Sequence, residues 1–162
     1  MAWTTPTTRS VSELITAGVW NTDLVDNLLY LYSRPAASYT GVAGGNYTVT
    51  STSYVALDAT NLKLTLTTSS GRVLVGVIMN AAADATHSAG FRVNIDSGAS
   101  YGYWGDSHLV YTNPNVISFA PLLLTGLSAA SHTFQLEVKV NGGTMTIYRS
   151  TAQPVHFWVM EV

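Results

Sequence analysis

Most of this chain consists of short runs with β-strand patterning, and no second helical pattern follows residue 38. Alternating apolar and polar residues indicate a strand with one buried face, whereas a continuous apolar run indicates a strand covered on both faces. Residues 62–67 and 91–95 alternate in this way. Residues 72–80 (RVLVGVIMN) are continuously apolar, so we expect that strand to be covered on both faces. Residues 38–162 are therefore predicted to form an all-β head domain.

The end of the chain carries the clearest strand signals. Residues 134–140 alternate, and the turn Asn141-Gly142-Gly143 predicts a hairpin that returns through residues 145–148. The last run, residues 155–162 (VHFWVMEV), is so apolar that we expect an internal strand rather than a free tail. Roughly eight to ten short strands in one domain favour a two-sheet jelly roll.

Composition excludes several classes of function. Charged residues make up 10% of the chain, and polarity comes instead from 21 Thr and 16 Ser. The net charge is −2 without any Lys/Arg cluster, so we expect no nucleic-acid partner. Cysteine is absent, which rules out disulfides and thiolate chemistry, and no apolar run approaches the ~18 residues of a membrane span. A chain with so few charges is expected to hide apolar surface in an oligomer.

Residues 1–37 are predicted to form a separate N-terminal unit, with an extended Thr-rich arm followed by one helix. Thr16 suits the N-cap of a helix that has to end before Pro35. Two adjacent apolar stripes give this helix a broad apolar face, which either covers one end of the sheets or joins identical chains in a short parallel bundle. We favour the bundle, with Asn21 fixing its register. The predicted oligomerisation residues are Trp20, Asn21, Leu24, Leu28 and Leu31.

Residues 98–102 (GASYG) match G-x-S-x-G, the nucleophile motif of α/β-hydrolases. That motif needs a helix after the serine, and the residues that follow Ser100 do not favour one. Asp106 with His108 or His132 has the chain order of a triad, but small residues in a β-loop produce this string easily. We therefore predict no catalytic residues and no enzyme.

The four histidines show no metal-binding spacing, and the aspartates form no calcium-loop pattern. We predict no metal site and no cofactor, although a three-fold axis could gather one His108 from each of three subunits.

The densest aromatic patch lies near the middle of the chain. Two interpretations are open: the rings pack into the end of the barrel or a subunit interface, which we favour, or they stack on sugar faces. The candidate ligand-contact residues are Tyr101, Tyr103 and Trp104, with Tyr111 nearby.

Both ends of the chain resemble a known group of proteins. The opening AWTTP, followed by Thr16-Ala17, Trp20-Asn21 and Asp26-Asn27-Leu28, resembles the N-terminal signature of bacteriophage virion proteins of the tail or minor structural type. The closing segments, residues 131–150 and 156–162, resemble the last strands of their heads. Those heads are similar to the jelly rolls of tumour necrosis factor and of complement heads, which associate as trimers. One departure is Val25, where members often have a basic residue.

The resemblance implies a TNF-like jelly roll and a homotrimeric, non-enzymatic virion component on the exterior of the particle, assembled in the host cytoplasm. Its partners would be itself and other virion proteins, such as a major capsid or tail protein. Because the chain has no long shaft, a capsid decoration or cement protein or a short spike fits better than a long fibre. Residues of the arm would attach it to the shell: Ala2, Trp3, Thr4, Thr5 and Pro6.

Two other functions remain open. The first is a tail-fibre tip that recognises a host surface polysaccharide. The second is a free carbohydrate-binding or esterase-like module.

Overall fold

The computed structural model describes residues 5–6, 8, 10, 14–98 and 100–162, without the side chains of Ser100 and Tyr101. Of the predicted attachment arm, Ala2, Trp3 and Thr4 lie outside the described residues. Thr5 and Pro6 are exposed and belong to no helix or strand.

The predicted helix is confirmed at residues 17–32. It comprises the α-helix α1 (Ala17–Trp20), a π-helical stretch (Asn21–Asp26) and the α-helix α2 (Asn27–Tyr32). The Thr16 hydroxyl oxygen accepts a hydrogen bond from the Val19 backbone N–H at 3.3 Å, as an N-cap does. Within the described residues no helix has both the length and the apolarity that crossing a membrane requires.

Twelve strands form two antiparallel sheets in the described part of the chain. The larger sheet contains β1 (Ala36–Gly41), β2 (Tyr47–Val49), β5 (Val73–Ala83), β8 (Asn115–Ser118), β9 (Leu122–Leu124), β11 (Met145–Tyr148) and β12 (Val155–Glu161). The smaller sheet contains β3 (Val55–Ala56), β4 (Lys63–Thr67), β6 (His87–Ile95), β7 (Ser100–Val110) and β10 (Ser131–Val140). The strands begin at Ala36, two residues before the predicted head.

The order of strands is that of a jelly roll. The larger sheet runs β1-β12-β5-β11-β2, and β8 and β9 pair with the edge of β5 that β12 and β11 leave free. The smaller sheet runs β3-β10-β6-β7, and β4 lies beside β10. The buried apolar side chains of both sheets meet in one core, whose largest rings are Phe91, Phe134 and Phe157. The predicted all-β jelly roll is confirmed. As predicted, the last strand is internal, since β12 lies between β1 and β5.

The predicted hairpin at Asn141-Gly142-Gly143 is wrong. β10 pairs within the smaller sheet, whereas β11 pairs with β2 and β5 in the larger one. Residues 141–144 therefore carry the chain across the end of the sandwich. Because both sheets point alternate side chains into one shared core, alternation does not reveal in which sheet a strand lies.

The prediction that β5 is covered on both faces holds except at one position. Val75, Val77 and Met79 are buried between the sheets, and on the other face Gly76 and Ala82 are buried while Leu74 and Asn80 are partly buried. Ile78 on that outer face is 41% exposed.

The helix is joined to the head at a buried carboxylate. Glu161, at the end of β12, is fully buried, and its carboxylate accepts hydrogen bonds from the backbone N–H groups of Ser69 and Ser70. The Ser69 hydroxyl lies 3.1 Å from the carboxylate and 3.2 Å from the hydroxyl of Tyr30 on α2. Burial alone would raise the pKa of Glu161, but the hydrogen bonds from Ser70, Ser69 and Tyr30 outweigh it and lower that pKa.

We expect Glu161→Gln to lower the free energy of unfolding by about 1–3 kcal/mol, because the backbone N–H groups of Ser69 and Ser70 would donate to a neutral amide oxygen in place of a carboxylate oxygen, which accepts hydrogen bonds more strongly. Since the folded pKa lies below the unfolded value of about 4.3, the carboxylate stabilises the fold above that pH and ceases to do so as the pH falls. Urea unfolding of the two proteins at neutral and acidic pH measures this. An unchanged unfolding midpoint in the variant would contradict the role given to Glu161.

Candidate functional surfaces

The outer faces of the two sheets differ in charge. The seven strands of the larger sheet contain a single Asp, Glu, Lys or Arg residue, Glu161, and its side chain points inward and is buried. Arg72 lies just before β5, at the margin of this sheet. The five strands of the smaller sheet contain five charged residues: Lys63, Arg92, Asp106, Glu137 and Lys139. One side of the sandwich therefore carries charges and the other carries none.

The uncharged side is apolar, and we call it the apolar sheet face. Strand register places Leu123, Leu74 and Met160 in one row across β9, β5 and β12. Trp158 occupies the next row, and Ile78 the one after it. Val116 on β8 lies diagonal to Ile78 and is 63% exposed. Six apolar side chains lie on this surface, with His156 and Ser118 on either side of Ile78: Leu74, Ile78, Val116, Leu123, Trp158 and Met160.

Trp158 is held at the centre of the apolar sheet face by a glycine beneath it. A Cβ atom added to Gly76 would lie 2.2 Å from Cε2 of the Trp158 indole, so only glycine leaves room for the ring. The indole is thereby laid flat across β5, which widens the apolar surface.

The helix presents a second apolar surface. Only Asn27 and Tyr30 of its residues are buried. The side chains predicted for oligomerisation are exposed, namely Trp20, Asn21, Leu24, Leu28 and Leu31, with Leu28 55% exposed. The structure therefore brings these residues to one accessible element, which contacts the head through Tyr30.

The predicted aromatic patch is divided between two environments. Trp104 is partly buried against the core, where its ring stacks on Phe119 with centroids 5.6 Å apart and its Nε1–H donates to the Ala120 carbonyl at 3.2 Å. Tyr103, its neighbour in sequence, is 50% exposed. Trp104 is thus packed against the core, whereas Tyr103 and the nearby Tyr111, which is 49% exposed, have accessible side chains.

Tyr103 belongs to a group of side chains on the outer face of the smaller sheet, which we call the tyrosine cluster: Tyr54, Arg92, Tyr103, Asp106 and Lys139. The Tyr54 and Tyr103 rings meet edge to face with centroids 6.1 Å apart. The Arg92 guanidinium carbon lies 4.2 Å from the Tyr54 ring centroid, and Lys139 Nζ lies 4.7 Å from it. Both cations are within the range of cation–π attraction. The cluster was missed in the sequence because Tyr54 is distant from Tyr103 along the chain.

Asp106 joins the cluster through hydrogen bonds. Its carboxylate accepts from the Tyr54 hydroxyl and lies 3.3 Å from Lys139 Nζ. The Tyr54 hydrogen bond, followed by that of Lys139, lowers the pKa of Asp106. Burial and the neighbouring Asp106 raise the pKa of Tyr54, so its hydroxyl stays protonated and continues to donate.

Beside the cluster, Glu137 gathers two polar neighbours. Its Oε2 accepts from Arg92 Nε at 2.6 Å, and its Oε1 accepts from Asn94 Nδ2 at 2.9 Å. Asn94 is 9% exposed, and its Oδ1 is buried without a hydrogen-bond partner among the described residues. An unpaired buried acceptor costs about 1–3 kcal/mol.

The structure also contains a Ser-His-Asp arrangement that differs from the one considered, and not predicted, from the sequence. His132 Nδ1 lies 2.7 Å from Asp96 Oδ2, and its Nε2 lies 3.3 Å from the Ser128 hydroxyl oxygen and 3.0 Å from the Ser128 carbonyl oxygen. A carbonyl oxygen only accepts, so Nε2 carries a hydrogen, and Nδ1 donates to the carboxylate. A ring that donates from both nitrogens has no lone pair with which to deprotonate a serine.

Asp96 is held from a second side as well. Burial would raise the pKa of Asp96, but hydrogen bonds from His132 and Thr133 lower it. The Asp96 hydrogen bond, followed by that of the Ser128 backbone, raises the pKa of His132. His132 and Asp96 therefore form a structural ion pair that ties the start of β10 to the turn after β6.

The other residues of the triad that the sequence order suggested have different partners. Asp106 contacts Tyr54 and Lys139, while the His108 ring packs edge to face against Phe91 and Phe119. Strand β7 begins at Ser100, so a strand follows the G-x-S-x-G string in place of a helix. Among the described residues no three potential ligands are grouped as a metal site would need.

We expect the His132–Asp96 pair to stabilise the fold in a pH-dependent way. Because the folded pKa of His132 is raised, its contribution is complete below the unfolded value of about 6.5 and is lost as the pH rises through the folded pKa. His132→Gln should therefore reduce the fall in thermal unfolding midpoint between pH about 5.5 and about 8.5. An identical pH dependence in both proteins, measured by circular dichroism, would contradict the ion pair.

Several solved structures that are similar to this chain are of viral proteins. The chain is similar to a protein of the infectious bursal disease virus Gt strain, with a TM-score of 0.43 and 15% identity over 80% of this chain and 38% of that one. It is also similar to a mutant VP2 protein of that virus in derived T=1 particles, with a TM-score of 0.39 and 14% identity over 78% and 36%. The chain is similar as well to a protein of the Gx strain, with a TM-score of 0.35 and 13% identity over 77% of this chain and 39% of that one.

The chain thus spans less than two fifths of the length of these viral proteins. A likeness of this degree assigns no function to it. The sequence matches no protein-family profile and no curated protein.

Proposed function

We propose that this protein is a non-enzymatic structural component of a bacteriophage virion, a homotrimeric capsid decoration or cement protein or a short surface spike. The observation that carries the proposal is the apolar sheet face, an outer sheet surface with exposed Ile78, Val116 and Leu123, whose strands contain no Asp, Glu, Lys or Arg except the buried Glu161. The resemblance of the N-terminal segment to phage virion proteins supports the virion role and the location on the exterior of the particle.

Burial of the apolar sheet face between copies is favourable on two grounds. Apolar area leaves water at a gain of about 25 cal/mol per Å². No ionised group on its strands has to lose its hydration, and identical copies bring no like charges together there. A second copy of this chain therefore suits the surface better than a charged partner.

The exposed helix adds to the same assembly. Three parallel helices would place Leu24, Leu28 and Leu31 along a common axis, and Asn21 at one level of that axis would fix the register. Because each helix is joined to its head near Glu161, association of the helices and of the heads would reinforce each other.

We expect the wild-type protein to have the mass of three chains in solution and Ile78→Lys to have the mass of one, because a lysine at that position would be desolvated in the interface. Thr65→Lys, on exposed β4 of the charged sheet, is the matched control and should stay trimeric. Light scattering after size exclusion gives the mass, and circular dichroism checks that both variants fold. A single-chain wild type, or a trimeric Ile78→Lys, would contradict the proposal.

The arm is proposed to attach the protein to the shell by strand addition or by insertion between neighbouring subunits. Deletion of residues 1–10 should abolish binding to particles that lack the protein, while the head remains folded. Sedimentation with purified particles measures this, and undiminished binding of the shortened chain would reject the attachment role.

The second candidate is a receptor-binding tip that recognises surface polysaccharide, and the tyrosine cluster favours it. The two functions differ in stoichiometry. A decoration protein is present in many copies on purified heads, whereas a tip is present in a few copies at the end of the tail, so imaging of particles distinguishes them.

A further inference from the structure

We propose that the tyrosine cluster is a binding site for a neutral, hydroxyl-rich glycan, an inference that rests on the second candidate function given above. The Tyr103 ring would stack on the apolar face of a sugar, and the exposed Asp106 carboxylate would accept hydrogen bonds from its hydroxyl groups. This site does not depend on the proposed trimer.

The Tyr103 ring is both accessible and fixed in position. It is half exposed, Tyr54 meets it edge to face, and Arg92 Nη1 donates to its hydroxyl at 3.4 Å. Its exposed part offers an electron-rich face that pairs with the C–H groups of a sugar ring. A ring already held in place loses little freedom when a ligand binds.

One acceptor group near Tyr103 is accessible and has unused capacity. The Asp106 side chain is 57% exposed, and a carboxylate has about four lone-pair positions, of which the Tyr54 hydroxyl and Lys139 use two. Arg92, which pairs with Tyr103 in the strand register, adds donors beside it. A ligand that supplies several hydroxyl groups would fill the remaining positions of the carboxylate.

The local charges favour a neutral ligand. Arg92 and Lys139 are positive, Asp106 and Glu137 are negative, and each cation is paired with one of the carboxylates at 2.6 and 3.3 Å. The cluster and the adjoining Glu137 together have no net charge to attract a sulfated, sialylated or uronic-acid glycan. Recognition would depend on stacking and on hydrogen bonds.

The position of the cluster keeps it open in the assembly. It lies on the outer face of the smaller sheet, on the opposite side of the sandwich from the apolar sheet face. Copies that associate through the apolar sheet face would each display one cluster. Three weak sites on one particle component then bind a repetitive polysaccharide more strongly than a single site does.

The test applies the full-length protein to a printed array of neutral glycans and of sialylated and uronic-acid glycans. We expect retention by neutral glycans and a loss of roughly tenfold in apparent affinity for Tyr103→Ala, because the stacking ring is removed. Tyr111→Ala is the matched control, since Tyr111 is as exposed, at 49%, but lies outside the cluster. It should bind like the wild type.

Tyr103→Phe tests the stacking role without removing the ring, and it should keep its affinity within about twofold. The proposal is overturned if no glycan is retained, if only acidic glycans are retained, or if Tyr103→Ala binds as well as Tyr111→Ala. Loss of binding by Tyr103→Phe would overturn the stacking role. The solution mass of each variant is measured in parallel, so that failure of this site and failure of the trimer are distinguished.

Discussion

The unequal distribution of charge between the two sheets is the constraint on which this molecule depends. Both sheets give alternate side chains to one core, so each keeps a single face for the outside. The smaller sheet fills that face with paired charges, such as Arg92 with Glu137. The larger sheet fills it with Leu74, Ile78 and Trp158. The apolar surface of the larger sheet is unfavourable in water, and contact with the apolar surface of neighbouring copies would remove it from water.

The helix also leaves apolar side chains exposed to water, because it is anchored to the head on only one side. Tyr30 reaches Ser69 beside the buried carboxylate of Glu161, and the other faces of the helix carry exposed leucines. Glu161 thus connects the last strand, the turn before β5 and the helix in one cluster of hydrogen bonds. An assembly of three copies would build on this fixed relation between helix and head, and it would leave the tyrosine cluster free for a ligand.

Local patterns in the sequence predicted the elements well, because capping and alternation act over a few residues. Thr16 and Pro35 defined the helix, and the alternation in residues 62–67 identified β4 and its buried face. Pairing between sheets was not predictable in this way. β10 and β11 look like a hairpin in sequence but lie in different sheets, since a shared core imposes the same alternation on both. Tyr103 was a candidate ligand contact because aromatic residues adjoin it in the sequence. Tyr54, Arg92 and Asn94 lie near it in the structure but come from other strands and loops, so the sequence did not point to them. The charge-free strands were visible in the sequence, but only the sheet order shows that they lie side by side.

The most direct test of the account is the accessibility of the apolar sheet face in the assembled protein. The chain contains no cysteine, so V116C and T65C each introduce one thiol, on the apolar sheet face and on the charged sheet respectively. The account predicts that V116C reacts with a maleimide much more slowly than T65C at concentrations where the protein is trimeric, although position 116 is exposed in the single chain. Equal rates of labelling at the two positions would contradict burial of this face between copies.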